Sequence, residues 1–217
     1  MNDALAVEFL NAVLKQYPDV QPTLVAHSPF EILVAVMLSA QTTDRAVNAI
    51  TPKLFAQYPD AAAMAKASAE DIEPYIDRLG LYRNKAKYLA TMSRQLMLRY
   101  DGVVPQTYPE LTALAGIGRK TATVVRTDAF NIPGIAVDTH VSRIIKGFGI
   151  ADPKATPDQI QKRLEALMPE ATWIQLHRGL IRTGREWLSA RDPQFPEAWA
   201  KFKPYYHPIK KERAHHA

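Results

Sequence analysis

Apolar residues recur at spacings of three and four along most of this 217-residue chain. Segments 4–16, 29–41, 82–99, 120–130, 139–147 and 157–168 carry that rhythm, which predicts amphipathic helices. No segment alternates apolar and polar residues long enough to read as a strand. No Asn-Gly or Asp-Gly hairpin turn lies between strand-like runs. Three helix starts have the form of a capping box: Ser28-Pro29-Phe30-Glu31, Thr107-Tyr108-Pro109-Glu110 and Thr156-Pro157-Asp158-Gln159. Pro52, Pro59, Gly80, Gly102, Pro105, Pro133 and Gly134 are expected between helices, and Asn131-Ile132-Pro133-Gly134 is the clearest break. The pattern predicts an all-α protein without repeats or long linkers. After Arg191 the run DPQFPEAWAKFKPYYHP mixes prolines with aromatics, which predicts an irregular packed segment.

Composition narrows the class. Apolar residues make up 47% of the chain, enough for a real core. There is no cysteine, which excludes disulfides and cysteine-ligated zinc or iron–sulfur clusters. The longest apolar run, Ile32 to Leu38, is far short of a membrane span, and MNDALAVEFL lacks the basic start of a signal peptide. A soluble cytoplasmic protein is expected, with no membrane partner and nothing to suggest more than a monomer.

Charge is unevenly spread. Residues 1–77 carry four basic and ten acidic side chains, whereas residues 78–126 carry nine and two. Residues 127–200 balance, and residues 201–217 carry five basic against one acidic. A basic middle and a basic tail fit a polyanionic partner such as nucleic acid; clustering on solvated helices gives the same count.

The stretch ALAGIGRKTATVV (113–125) concentrates the candidate chemistry. Gly116 at the end of a short helix permits a left-handed turn. Gly118 lets the backbone approach a neighbour, and Ile117 fastens the turn to the core. The amides opening the next helix are then free to hold a phosphate oxygen. A helix corner that uses glycine only for its geometry is the plainer alternative. A P-loop is excluded, because Gly118 is followed by Arg119 and no glycine lies five residues before it.

LAGIGRKTA resembles the helix-hairpin-helix of the endonuclease III family of DNA glycosylases. Downstream, IAVDTHVSR (135–143) resembles that family's aspartate segment; upstream, LSAQTTD (38–44) and LGLYRNKA (79–86) resemble its two DNA-probing loops. The motifs stand in family order and span roughly residues 28–205. The resemblance implies a two-lobed helix-hairpin-helix glycosylase fold. One lobe would be 22–132 and the other 1–21 plus 133–217, with double-stranded DNA lying across the cleft. It further implies a bifunctional glycosylase and abasic-site lyase of base excision repair. Such an enzyme removes oxidised pyrimidines from duplex DNA and nicks the strand by β-elimination.

Within that resemblance, Lys120 is the nucleophile that forms a Schiff base with the sugar. The helix N-terminus and Arg119 favour its neutral amine, as burial would. Asp138 is the second essential group; its position before a helix also suits a plain N-cap. The resemblance has Gln41, read as ending an apolar helix, fill the space left by the extruded base. It makes Leu81 a wedge in the base stack. Arg119, His140 and Arg143 are candidate phosphate contacts, with simple solvation on a helix face as the alternative. Two other functions stay open: a glycosylase for mismatched thymine or uracil, and a helix-hairpin-helix module that only binds DNA.

The chain departs from the family at its C-terminus. Aligned on Gly184-Arg185 and Ala190-Arg191-x-Pro193, the family's 4Fe–4S ligand positions, C-x6-C-x2-C-x5-C, fall on Leu188, Phe195, Ala198 and Pro204. No cofactor is expected. Trp187, Phe195, Trp199, Phe202 and Tyr205 are expected to pack in place of the cluster.

Overall fold

The computed structural model describes residues 1–208. Among them, helices α1 (Asp3–Gln16), α2 (Pro29–Leu38), α3 (Asp44–Gln57), α4 (Ala61–Ala65), α5 (Ala69–Ile76), α6 (Tyr82–Tyr100), α7 (Tyr108–Thr112), α8 (Arg119–Phe130), α9 (Thr139–Gly147), α10 (Pro157–Leu167) and α11 (Trp173–Glu186) follow in order. The described residues contain no strand, only an isolated bridge between Leu188 and Pro193. No helix among them is long and apolar enough to cross a membrane. The chain divides into two compact units: Pro22–Ile132, and Met1–Gln21 with the chain from Pro133 onward. The end of the basic tail, residues 209–217, lies outside the described residues.

The Pro22–Ile132 unit is built around α2. Every residue from Leu33 to Leu38 is buried, so this helix is apolar on all sides and packs against α3, α6 and α8. Helices α4 and α5 pack on α6, the longest helix. The expected helix over 29–41 stops at Leu38, because the chain turns through Ser39–Thr42 and Gln41 adopts φ 55°. Pro52 lies inside α3 rather than between helices. It sits on the exposed face, where water can satisfy the carbonyl that loses its N–H partner.

The caps differ in detail from their sequence pattern. Thr156 and Gln159 form the full reciprocal box, and so do Ser68 and Asp71 at the start of α5, a pair not read from the sequence. At Ser28 the box stays open: its side chain accepts the Glu31 N–H, but Glu31 accepts the His27 N–H at 2.7 Å. At Thr107 the Glu110 carboxylate takes the threonine hydroxyl instead of the backbone amide.

In the other unit, α1 packs on α10 and α11, and α9 packs on α10 and α11. Its core is aromatic. Phe9 of α1 meets Phe148, Phe202 and Trp199 with ring centroids 4.1, 5.4 and 5.8 Å apart. Phe148 in turn meets Tyr206 at 4.9 Å. Trp199 and Phe202 come from a 3₁₀ segment, Glu197–Tyr205, in the proline-rich tail. Tyr205, expected to pack here, is exposed; Tyr206, the next residue, takes the inward position. Trp187 and Phe195 are only partly buried against this core.

Candidate active site and nucleic-acid interface

Helices α7 and α8 form a hairpin whose turn is shaped by α6. Gly116 has φ +78°, and a Cβ there would lie 3.0 Å from Tyr88 Cβ and Cγ. Only glycine meets both conditions. The Ala115 N–H donates to Gln95 Oε1, also on α6, at 2.8 Å, and buried Ile117 closes the turn through its N–H to the Leu114 carbonyl. The close approach expected at Gly118 therefore belongs to Gly116. Nothing lies within 4 Å of a Cβ built at Gly118. No side chain caps α8, so its first amides are open to an external acceptor.

Arg119 and Lys120 form the first turn of α8, and both are exposed. Lys120 stands on this open turn, away from the core. Arg119 is ordered by Tyr108, whose ring lies 4.9 Å from its guanidinium and 4.1 Å from that of Arg126. The Tyr108 hydroxyl is 3.2 Å from Thr123 Oγ1, which anchors the stack to α8.

Two further turns of this unit carry the candidate DNA-probing residues. Gln41 (φ 55°) and Leu81 (φ 59°) both hold left-handed backbone that L-residues rarely adopt. Both side chains are exposed, Leu81 at 59%. An apolar side chain on a left-handed turn before a helix with no side-chain cap is not packed as an ordinary loop leucine.

In the other unit, Asp138, His140 and Arg143 sit together on the first turns of α9. Asp138 Oδ1 accepts the Val141 N–H at 2.8 Å, a true N-cap; among the described residues its Oδ2 accepts no hydrogen bond. His140 packs against α11, where a Cβ at Gly184 would fall 2.7 Å from His140 Cβ. Arg143 is half-buried and turns one guanidinium nitrogen inward. Its Nη2 donates to the Gly184 and Leu188 carbonyls at 3.0 and 2.8 Å and lies 3.2 Å from His140 Nδ1. Its place in the fold is to tie α9 to the end of α11. Tyr206 leans on the same helix so closely that a Cβ at Gly147 would meet its ring at 2.5 Å. Burial pushes the Tyr206 hydroxyl above its ordinary pKa, with the Arg143 guanidinium pulling the other way.

The residues at the family's cluster positions do not fit an iron–sulfur cluster. Leu188 is in the core, Phe195 half-buried, and Ala198 and Pro204 exposed; none offers a ligating atom. Among the described residues, no group of His, Cys, Asp or Glu could hold a metal ion. The aromatic packing is only partly a position-for-position exchange. Phe195, on a ligand position, meets Phe148 and Tyr206 edge-on at 6.3 and 5.7 Å, while Trp199, Phe202 and Tyr206 pack from neighbouring positions.

Residues 34–170 match the model of the HhH-GPD superfamily of base excision DNA repair proteins. Over 190 residues the chain is 42% identical to Endonuclease III of Synechocystis sp., covering 87% of this chain and 86% of that one. The chain belongs to the endonuclease III family. It is thus an all-α base excision repair DNA glycosylase, a variant without the cluster cysteines. A trapped Endonuclease III–DNA covalent intermediate, an estranged-adenine complex, is similar with a TM-score of 0.86 and 38% identity, over 89% of this chain and 91% of that one. A non-covalent Endonuclease III–DNA complex is similar with a TM-score of 0.89 and 36% identity over 95% of both chains.

The Gly116 contact gives a direct check on the hairpin. Gly116→Ala adds backbone strain and a clash with Tyr88, and is expected to cost roughly 1–3 kcal/mol in urea unfolding. Gly118→Ala, with open space before it, is expected to cost less than about 1 kcal/mol. Equal costs would contradict the assignment of the close approach to Gly116.

Proposed function

We propose that the chain is a bifunctional glycosylase and abasic-site lyase acting on oxidised pyrimidines in duplex DNA. The observation that carries this reading is Lys120: an exposed amine on the uncapped first turn of α8, beside amides suited to a phosphate. Support comes from the likeness to an Endonuclease III trapped as a covalent DNA intermediate, since such a species requires a nucleophile.

The damaged nucleotide leaves the stack, because its sugar carbon is inaccessible inside the duplex. Gln41 takes the vacated space and Leu81 wedges the neighbouring step. The Lys120 amine attacks C1′ as the bond from C1′ to the base nitrogen breaks, and the base departs with the electron pair. Asp138 carries the proton from the amine toward the leaving base and offsets positive charge on the sugar. Opening of the sugar ring at O4′ gives the Schiff base. Loss of a C2′ proton then expels the 3′ phosphate, and water hydrolyses the imine to release the lysine. Arg119 and the α8 amides hold backbone phosphate, and His140 is a further candidate for that role. The protein works as a monomer in the cytoplasm.

This reading also holds that no iron–sulfur cluster is bound, the C-terminal segment being closed by its own aromatics. Protein purified without oxygen is expected to show no visible iron–sulfur absorption band; such a band would overturn the clusterless assignment.

Lys120→Gln is expected to abolish strand nicking, by about 10³-fold or more, as removal of a covalent nucleophile does. Binding to abasic-site duplex should persist in gel-shift assays. A variant that nicks at the wild-type rate would refute the nucleophile. A wild-type protein that binds damaged duplex without excising a base would favour the binding module. Excision of mismatched thymine or uracil but not thymine glycol would favour the mismatch enzyme.

A further inference from the structure

Lys85 has no part in the reaction proposed above, yet the fold buries it. Its side chain is only 4% exposed. Nζ donates to the Leu38 carbonyl at 2.8 Å and to Thr42 Oγ1 at 2.6 Å, and neither partner carries a charge. Desolvation by burial lowers its pKa below that of an ordinary lysine. Burying an ammonium is costly unless its hydrogen bonds offset the lost solvation, and here both partners are neutral. Stability of the core alone does not account for a lysine here.

Its position does. The Leu38 carbonyl closes α2 and is one of the carbonyls that a helix C-terminus leaves without an intrahelical partner. An ammonium there also suits the negative end of the helix dipole. Thr42, the other partner, adjoins Gln41. Lys85 itself stands one turn into α6, and its N–H donates to the Leu81 carbonyl at 3.1 Å. One buried side chain therefore joins the foot of the Leu81 turn to both ends of the Gln41 turn. Each turn holds an exposed L-residue in left-handed backbone, a conformation that surrounding structure must enforce. Two strained tips, tied from beneath by a single cation, cannot shift independently.

We infer that Lys85 is a positioning residue that fixes the spacing of the Gln41 and Leu81 turns, so that both side chains enter the duplex together as the base leaves. The inference rests on the roles given to those turns in the proposed function. Without Lys85 the chain still binds DNA, but the two insertions lose their register and extrusion slows.

The test uses the full chain and a duplex with thymine glycol opposite 2-aminopurine, whose fluorescence reports unstacking. Lys85→Met is expected to lower single-turnover excision about 10- to 100-fold, the scale of a small misplacement of a positioning group. The fluorescence rise on binding should be lost, while KM changes less than 3-fold, on the order of a minor binding effect. In the Gln41→Ala/Leu81→Ala background, Lys85→Met should have no further effect on excision, because the turns it acts through are already disarmed.

Wild-type excision and fluorescence in Lys85→Met, or an undiminished effect in the double-alanine background, would overturn the inference. If Lys85→Met does not fold, Thr42→Val removes one of the two bonds and should show the same losses to a smaller degree. A folded Thr42→Val with wild-type excision and fluorescence would then identify Lys85 as a folding residue only. A wild-type chain that neither excises nor forms an adduct overturns the functional reading and this inference with it. An active wild-type chain matched by Lys85→Met overturns this inference alone.

Discussion

Tyr88 leaves no room for a side chain at residue 116, and that contact organises the turns of the Pro22–Ile132 unit that are proposed to meet DNA. It seats the hairpin directly on α6. The same helix begins at the Leu81 turn, reaches the Gln41 turn through Lys85, and holds the hairpin backbone again through Gln95. Three motifs far apart in the chain are thereby registered against one rigid rod. Each contact falls at helical spacing along α6: residues 85, 88 and 95 share the side that meets the turns. Precision in this site comes from a helix rather than from loops, as preorganised sites require.

The second unit solves a different problem. Its C-terminal segment carries Leu188, Phe195, Ala198 and Pro204 at the four positions that the family resemblance gives to cluster ligands, and a short irregular segment needs a reason to stay folded. Two devices supply it. Phe9, Phe148, Trp199, Phe202 and Tyr206 interlock through tilted and edge-on ring contacts, which add to the apolar burial. Arg143 then satisfies two backbone carbonyls at the end of α11. Both devices act on α9, the helix that Asp138 caps. The segment therefore braces the helix that carries the proposed proton-transfer group.

Much of this was legible in the sequence because it depends on local rules. The three-and-four spacing marks α1, α6, α8, α9 and α10 nearly to their ends, and Asp138 reads as an N-cap from position alone. What was missed depends on tertiary packing. Pro52 reads as a breaker but rides on an exposed face of α3. Gln41 reads as helical, yet the chain turns left-handed three residues after α2 ends. Lys85 is one of nine basic residues in its segment, and nothing in its neighbours announces that it is buried. That Arg143 also ties α9 to the end of α11 shows only once α11 is folded against it. Tyr205 and Tyr206 are adjacent aromatics, and only the course of the 3₁₀ segment decides which turns inward.

The central claim is that the hairpin lysine forms a covalent bond with the sugar. The most direct measurement is peptide mass spectrometry of the borohydride-reduced complex with abasic-site duplex. The account requires the adduct on Lys120. An adduct on the N-terminal amine of Met1 or on another lysine, with Lys120 unmodified, would contradict it.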